Sequence, residues 1–188
     1  MSKPLILVRH SVPEIQKDRP AHEWKLSPEG RLRARLLSER IRSYPVNVLF
    51  SSLEPKAVET AQIIAAACDV ELQVVDGLQE HDRSNVPYLT RPEFESAVQE
   101  FFRQPDTLVF GRETANQAHE RFSGAITSLL ADCKDQDVVI VAHGTVISLF
   151  VSRLTGTSAL GLWEKLGLPS FVVIDIDTAR LITVDNLS

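Results

Sequence analysis

Two histidines, two cations and a carboxylate in this sequence each stand just past a short apolar run. Arg9-His10 follows the run 5–8, Lys56 comes soon after the run 46–50 and Ser51-Ser52, Glu80 follows 72–75, and His143-Gly144 follows 138–142. One histidine at a strand end is an ordinary structural residue, but four such places with complementary chemistry form a set. A neutral imidazole is a nucleophile, fixed cations hold an anion, and a carboxylate moves a proton. Phosphoryl transfer through a covalent intermediate requires these parts.

The elements that must position them follow from the hydrophobic pattern. The apolar runs 5–8, 46–50, 72–75, 138–142 and 171–176 read as strands, the last pairing with 181–184 across a short turn. Between the first two, Ser27-Pro28 supplies an N-cap and a first-turn proline. The helix that follows carries Leu32, Leu36, Leu37 and Ile41 as its expected buried stripe and five arginines as a solvated face. Further helices are predicted at about 55–68, 114–133 and from Gly144 to near Gly156. The stretch 84–111 breaks the alternation. In it Phe94, Val98, Phe101 and Phe102 recur at helical spacing, so it reads as a small helical cap inserted at about 84–112.

The expected architecture is α/β, a three-layer sandwich with a mostly parallel central sheet and helices on both faces. One domain should take up 1–188, since 188 residues with 44% hydrophobic content suffice for one substantial core. In such sheets ligands bind outside the carboxyl ends of the strands, where the candidate groups stand.

A net charge of -5 argues against a protein that coats nucleic acid or an anionic membrane, so any anionic ligand must meet a local cluster of cations. The start, MSKPLILVRH, has only five apolar residues in a row, and this points to a cytoplasmic protein with no membrane span. Cys68 and Cys133 are isolated in apolar helical contexts, which suits a reducing compartment. No dinucleotide, P-loop or metal-binding motif occurs, so neither a cofactor nor a metal is expected.

The ordered motifs resemble the histidine phosphatase (phosphoglycerate mutase-like) superfamily. Leu7-Val8-Arg9-His10-Ser11 is similar to its R-H-G signature, and Val139 with the residues up to His143-Gly144 is similar to its second histidine segment. Leu26-Ser27-Pro28-Glu29-Gly30 resembles L-T-x-x-G, and the run from Ser51-Ser52 through Lys56-Ala57 to Thr60-Ala61 resembles S-S-x-x-x-R-A-x-x-T-A. Gly77-Leu78-Gln79-Glu80 is similar to L-x-E, and Gly111-Arg112-Glu113-Thr114 to G-E-S. Two positions depart: Ser11 stands for glycine, and Lys56 for the second phosphate-binding arginine.

The resemblance implies that His10 attacks phosphorus and becomes transiently phosphorylated. Arg9 and Lys56 would hold the phosphate, with Ser11, Gly144 and His81 beside it, and His143 would donate to a phosphoryl oxygen. Glu80 would be the proton donor, in an apolar setting that raises its pKa, with Glu14 and Asp82 as alternatives. Arg83, Tyr88, Arg91 and Arg112 are candidates for the substrate end of the pocket.

The function expected is hydrolysis of a small phosphorylated metabolite. A mutase is the enzymatic alternative, though Glu80-His81-Asp82-Arg83-Ser84 lacks the E-R-x-Y-G of family mutases. A phosphate-binding module without turnover is another, motivated by Ser11 and Lys56. The sequence permits a homodimer and does not specify one.

Overall fold

The computed structural model describes residues 4–134 and 136–187. Its strands are β1 (Pro4–Arg9), β2 (Val48–Ser51), β3 (Leu72–Val74), β4 (Val138–Ala142), β5 (Ser170–Asp175) and β6 (Arg180–Asn186), joined in one sheet of order β3-β2-β4-β1-β5-β6. The first four are mutually parallel; β5 runs against both β1 and β6. The sheet is thus mostly parallel, as the pattern predicts.

An apolar run without polar alternation must be covered on both faces. In β1, Ile6 and Val8 pack with Leu37 and Ile41 of α1 (Pro28–Ile41) and Ala57, Ala61 and Ile64 of α2 (Pro55–Cys68). Leu5 and Leu7 face the other layer, where they meet Phe122 and Ile126 of α4 (Ala115–Asp132) and Val146 and Ile147 of α5 (Gly144–Thr155). The insertion holds α3 (Arg91–Arg103), whose Phe101 joins that same core.

The stripe expected on α1 is corrected. Leu32 and Leu36 are 57% and 54% exposed, while Gly30, Ala34, Leu37, Ser38 and Ile41 are buried. Gly30 sets the phase: a Cβ there would lie 2.0 Å from the Val12 carbonyl oxygen, so only glycine allows this close approach. Leu32 is two residues on, about 200° around the axis, and so faces outward.

A short helix, α6 (Ala159–Lys165), was not anticipated. It buries Leu162, and its Trp163 ring meets Phe94 of α3 at 5.9 Å. Seven residues are too few for a periodic signal.

Candidate active site

The parallel register sets Arg9 opposite Ala142, so β1 and β4 end side by side. The His10 N–H donates to the Ala142 carbonyl at 3.0 Å, and the His10 and His143 rings stand with centroids 5.0 Å apart at 62°. Two imidazoles 133 positions apart in the chain therefore face one site.

His10 Nδ1 lies 2.8 Å from the Ser11 carbonyl oxygen. A carbonyl only accepts, so Nδ1 carries the proton and Nε2 keeps its lone pair. Ser11 itself is anchored: its N–H donates to Thr60 Oγ1 at 3.0 Å and its hydroxyl to the Gly30 carbonyl at 2.7 Å. Both donors of Ser11 are thus engaged within the protein, while its carbonyl holds the His10 ring. His143 is entirely buried, with Nε2 2.8 Å from Ser52 Oγ and 3.5 Å from Glu54 Oε1.

Burial holds both imidazoles well below the ordinary 6.5; next in order, His143 and Lys56 add to this for His10, and Lys56 for His143. Both are therefore neutral at physiological pH. Below pH 6.5 the unfolded chain gains a proton on each that the folded chain does not. Stability should thus be complete above that pH and fall with acidification, by up to about 1.4 kcal/mol per pH unit for each imidazole. Urea midpoints at pH 7.5 and 5.5 read this directly; equal midpoints would contradict the depressed values.

Arg9 points across the start of α5. Its guanidinium donates to the Leu166 carbonyl, its Nε has no partner among the described residues, and burial brings its pKa down to about 10, so it stays charged. Gly144 makes room for it, since a Cβ at 144 would sit 2.9 Å from Arg9 Nε and 3.0 Å from Cζ.

Lys56 is buried, 4% exposed, and is not the solvated lysine that a first-turn position often carries. Its ammonium donates to the Ala21 carbonyl at 2.7 Å and to the Glu54 carboxylate. Glu54, 7% exposed, is a site residue that the sequence reading missed. The available signal was a carboxylate just before the first-turn Pro55, at a helix start that favours negative charge and two residues from the expected phosphate cation.

Glu80 differs from expectation. Its Oε2 accepts from the Thr145 N–H at 3.1 Å, and its Oε1 from the Val146 N–H at 3.3 Å and its neighbour's, His81, at 3.0 Å. Burial pushes the carboxyl upward, yet Arg83, His143 and the N–H groups of His81 and Thr145 outweigh it, so its pKa lies below the usual 4.5. The apolar setting predicted for it is replaced by the N-terminus of α5, a natural anion seat. The loop that presents it is clamped by Arg121, also missed, which donates to the Gly77 and Gln79 carbonyls at 3.0 Å each, to that of Glu80 at 3.2 Å, and to Glu113.

Beyond Glu54 and Glu80 lies an open cavity of about 700 Å³, with His22, His81, Asp82 and Arg83 on its walls. His81 is wedged between Phe101 (4.1 Å) and Phe110 (4.7 Å), with Nε2 3.2 Å from the Glu113 carbonyl. Arg83 stacks on Phe94 at 4.6 Å and, among the described residues, makes no ion pair. Of the other candidates, Tyr88, Arg91 and Arg112 are exposed and do not line this cavity, and Arg91 pairs with Glu95 on the outer face of α3. Asp82 is exposed, and Glu14 is exposed away from the cavity. Among the described residues no three of His, Cys, Asp and Glu gather as a metal site would need, and no helix is long and apolar enough to cross a membrane.

The chain matches the model of the histidine phosphatase superfamily, branch 1, over residues 5–185. It belongs to that superfamily. A Salmonella paratyphi A protein named "Probable phosphoglycerate mutase GpmB" is 27% identical over 161 residues, covering 81% of this chain and 75% of the relative. A mycobacterial glucosyl-3-phosphoglycerate phosphatase has the same fold, with a TM-score of 0.78 at 21% identity over 100% of both chains. Phosphoserine phosphatase from Entamoeba histolytica aligns at TM-score 0.78 and 20% identity, covering 97% of this chain and 96% of that one.

Proposed function

We propose that this chain is a phosphomonoesterase for a small phosphorylated metabolite, working through a phosphohistidine at His10. The observation that carries the reading is the His10 ring: neutral, tied at Nδ1 to the Ser11 carbonyl, and 5.0 Å from a second buried imidazole. Its Nε2 attacks phosphorus in line, the N–P bond forming as the bond to the ester oxygen breaks. Arg9 and Lys56 hold the phosphoryl oxygens, and His143 together with the N-terminus of α5 stabilises the charge that develops. The leaving oxygen takes a proton from Glu80. Water then attacks the phosphohistidine, giving its proton back to Glu80 and releasing phosphate.

In the empty site Glu80 is ionised, so its proton must arrive with the substrate. A phosphate dianion placed beside the carboxylate raises its pKa by like-charge repulsion. A phosphomonoester ionises a second time near pH 6, so a bound monoanion can hand that proton to Glu80.

Arg83, which makes no ion pair among the described residues, and the polar wall of His22 and Asp82 suit a substrate with a second acidic or polar group beyond the phosphate. We assign the segment 84–112 as the cap that shapes this outer part of a single domain. All the groups used come from one chain, so the chemistry needs no second copy. A cytoplasmic setting fits the two free cysteines, Cys68 and Cys133.

The test is a rapid quench with ³²P-labelled substrate and chelator present. Label on the protein that survives alkali and is lost in acid is expected; no label, or acid-stable label, would refute the intermediate. The mutase name of one relative gives a second reading, and product analysis separates the two, since hydrolysis liberates inorganic phosphate and a mutase returns an isomer.

A further inference from the structure

Lysine in place of arginine raises a physical difficulty. An arginine presents its donors in a rigid planar fork, whereas a lysine ammonium rotates freely on a flexible stem and holds no fixed direction by itself. Here the ammonium is not free. Two of its three hydrogens are engaged, one by the Ala21 carbonyl and one by Glu54 Oε2, so the direction of the third is set by tetrahedral geometry.

Glu54 is itself immobilised. It is 7% exposed, its Oε1 accepts the Glu80 N–H at 2.9 Å, and the same oxygen stands 3.5 Å from His143 Nε2. One carboxylate therefore ties together the cation, the loop of the proton donor and the second histidine. A buried carboxylate beside an anion seat is costly unless a partner compensates it, and Lys56 is that partner. Glu54 bridges the Lys56 ammonium at Oε2 and approaches the His143 ring at Oε1, so the cation stands one carboxylate away from the second histidine.

We propose that Glu54 is the positioning residue that lets Lys56 replace an arginine: it holds the ammonium so that its one remaining N–H points at a phosphoryl oxygen. This rests on the phosphatase reading above and adds to it a positioning residue. The part of its effect that runs through Lys56 is separated from its contacts with the Glu80 N–H and His143 by asking what its removal does once the lysine is gone.

A double-mutant cycle of the wild type, Glu54→Gln, Lys56→Met and the pair tests this, with kcat, KM and inhibition by orthovanadate measured for each. Glutamine keeps an acceptor for the Glu80 N–H and removes the charge that holds the ammonium. Glu54→Gln should lower kcat/KM by roughly 10- to 30-fold, chiefly in kcat, and weaken vanadate in parallel. In the Lys56→Met background the same change removes a carboxylate left buried without its cation, so it should cause no further loss of kcat/KM. Glu54→Gln with Lys56→Arg should recover most of the loss, because an arginine fixes its own donors.

Effects of Glu54→Gln and Lys56→Met that simply multiply, or an arginine that restores nothing, would overturn the proposal while leaving the phosphatase intact. Absence of any turnover by the wild type would instead strike the phosphatase reading. Calorimetric titration of inorganic phosphate into the same proteins then reads the coupling without turnover, and independent losses of affinity would refute it. Thermal melts accompany each variant, and Glu54→Asp, which shortens the reach by one methylene, replaces Glu54→Gln in the cycle should the latter not fold.

Discussion

Replacing His10 with alanine should lower kcat by roughly 10⁴- to 10⁶-fold on every phosphomonoester tried, the scale lost when the nucleophile of a covalent-catalysis enzyme is removed. The side chain has no substitute nearby. Among the described residues Ser52 is a rival, because its hydroxyl lies 2.8 Å from His143 Nε2 in a serine–histidine pair, but that hydroxyl also accepts from the Glu54 N–H and is wholly buried. If Ser52 were the nucleophile, His10→Ala would keep substantial activity and the trapped label would survive acid. Groups that act as a unit are not additive, so His143→Ala made on top of His10→Ala should reduce the residual rate little further. Rates of the two single variants and the double one, measured with chelator and alongside thermal melts, decide the matter. A double variant that multiplies the separate losses would mean that the two imidazoles serve different processes.

Much of this arrangement was legible in the sequence because the inner strands β1, β2, β4 and β5 are short apolar runs buried on both sides. Runs of that length read as strands, and the polar residues at the ends of the parallel ones fall by topology onto one edge: β4 was read at its observed bounds, and β1 within one residue at either end. Glycine and proline marked helix ends reliably, as at Ser27-Pro28 and at Gly156, which ends α5 at φ +76°. What was not legible depends on depth or on partners distant in the chain. The face that α1 buries is set by its contact with the Val12 carbonyl, a long-range approach that periodicity cannot see. Lys56 carries the right charge, but its ammonium points where Ala21 and Glu54 hold it, and neither partner is evident from spacing. Arg121 reads as one more arginine on a solvated helix until the loop 77–80 folds over it. Glu80 was found by motif, yet its titration was inferred with the wrong sign, since burial was foreseen and the donors from α5 and Arg83 were not.

That sign matters most for the second large effect. Glu80→Gln should reduce kcat/KM, which reports transfer to His10 and not the later hydrolysis, by roughly 10²- to 10⁴-fold for alkyl phosphates, the usual worth of general acid catalysis, and by far less for p-nitrophenyl phosphate. An alkoxide cannot leave unprotonated, whereas nitrophenolate is stable enough to do so, and only the first therefore needs a proton from position 80. Glutamine keeps one oxygen and can replace either the acceptor for Thr145 or that for Val146 and His81, but not both, so thermal melts of the variant accompany the rates. The comparison of leaving groups separates two roles that the structure superimposes. Equal losses of kcat/KM on both esters would mean that Glu80 serves to hold the start of α5, and that proton donation lies elsewhere, with Asp82 on the cavity wall as the next candidate. Because the empty carboxylate is held below 4.5 and only a bound dianion raises it, the alkaline limb of kcat for alkyl esters reports Glu80 in the complex. That limb should disappear in Glu80→Gln, and its survival would assign the titrating acid to another group.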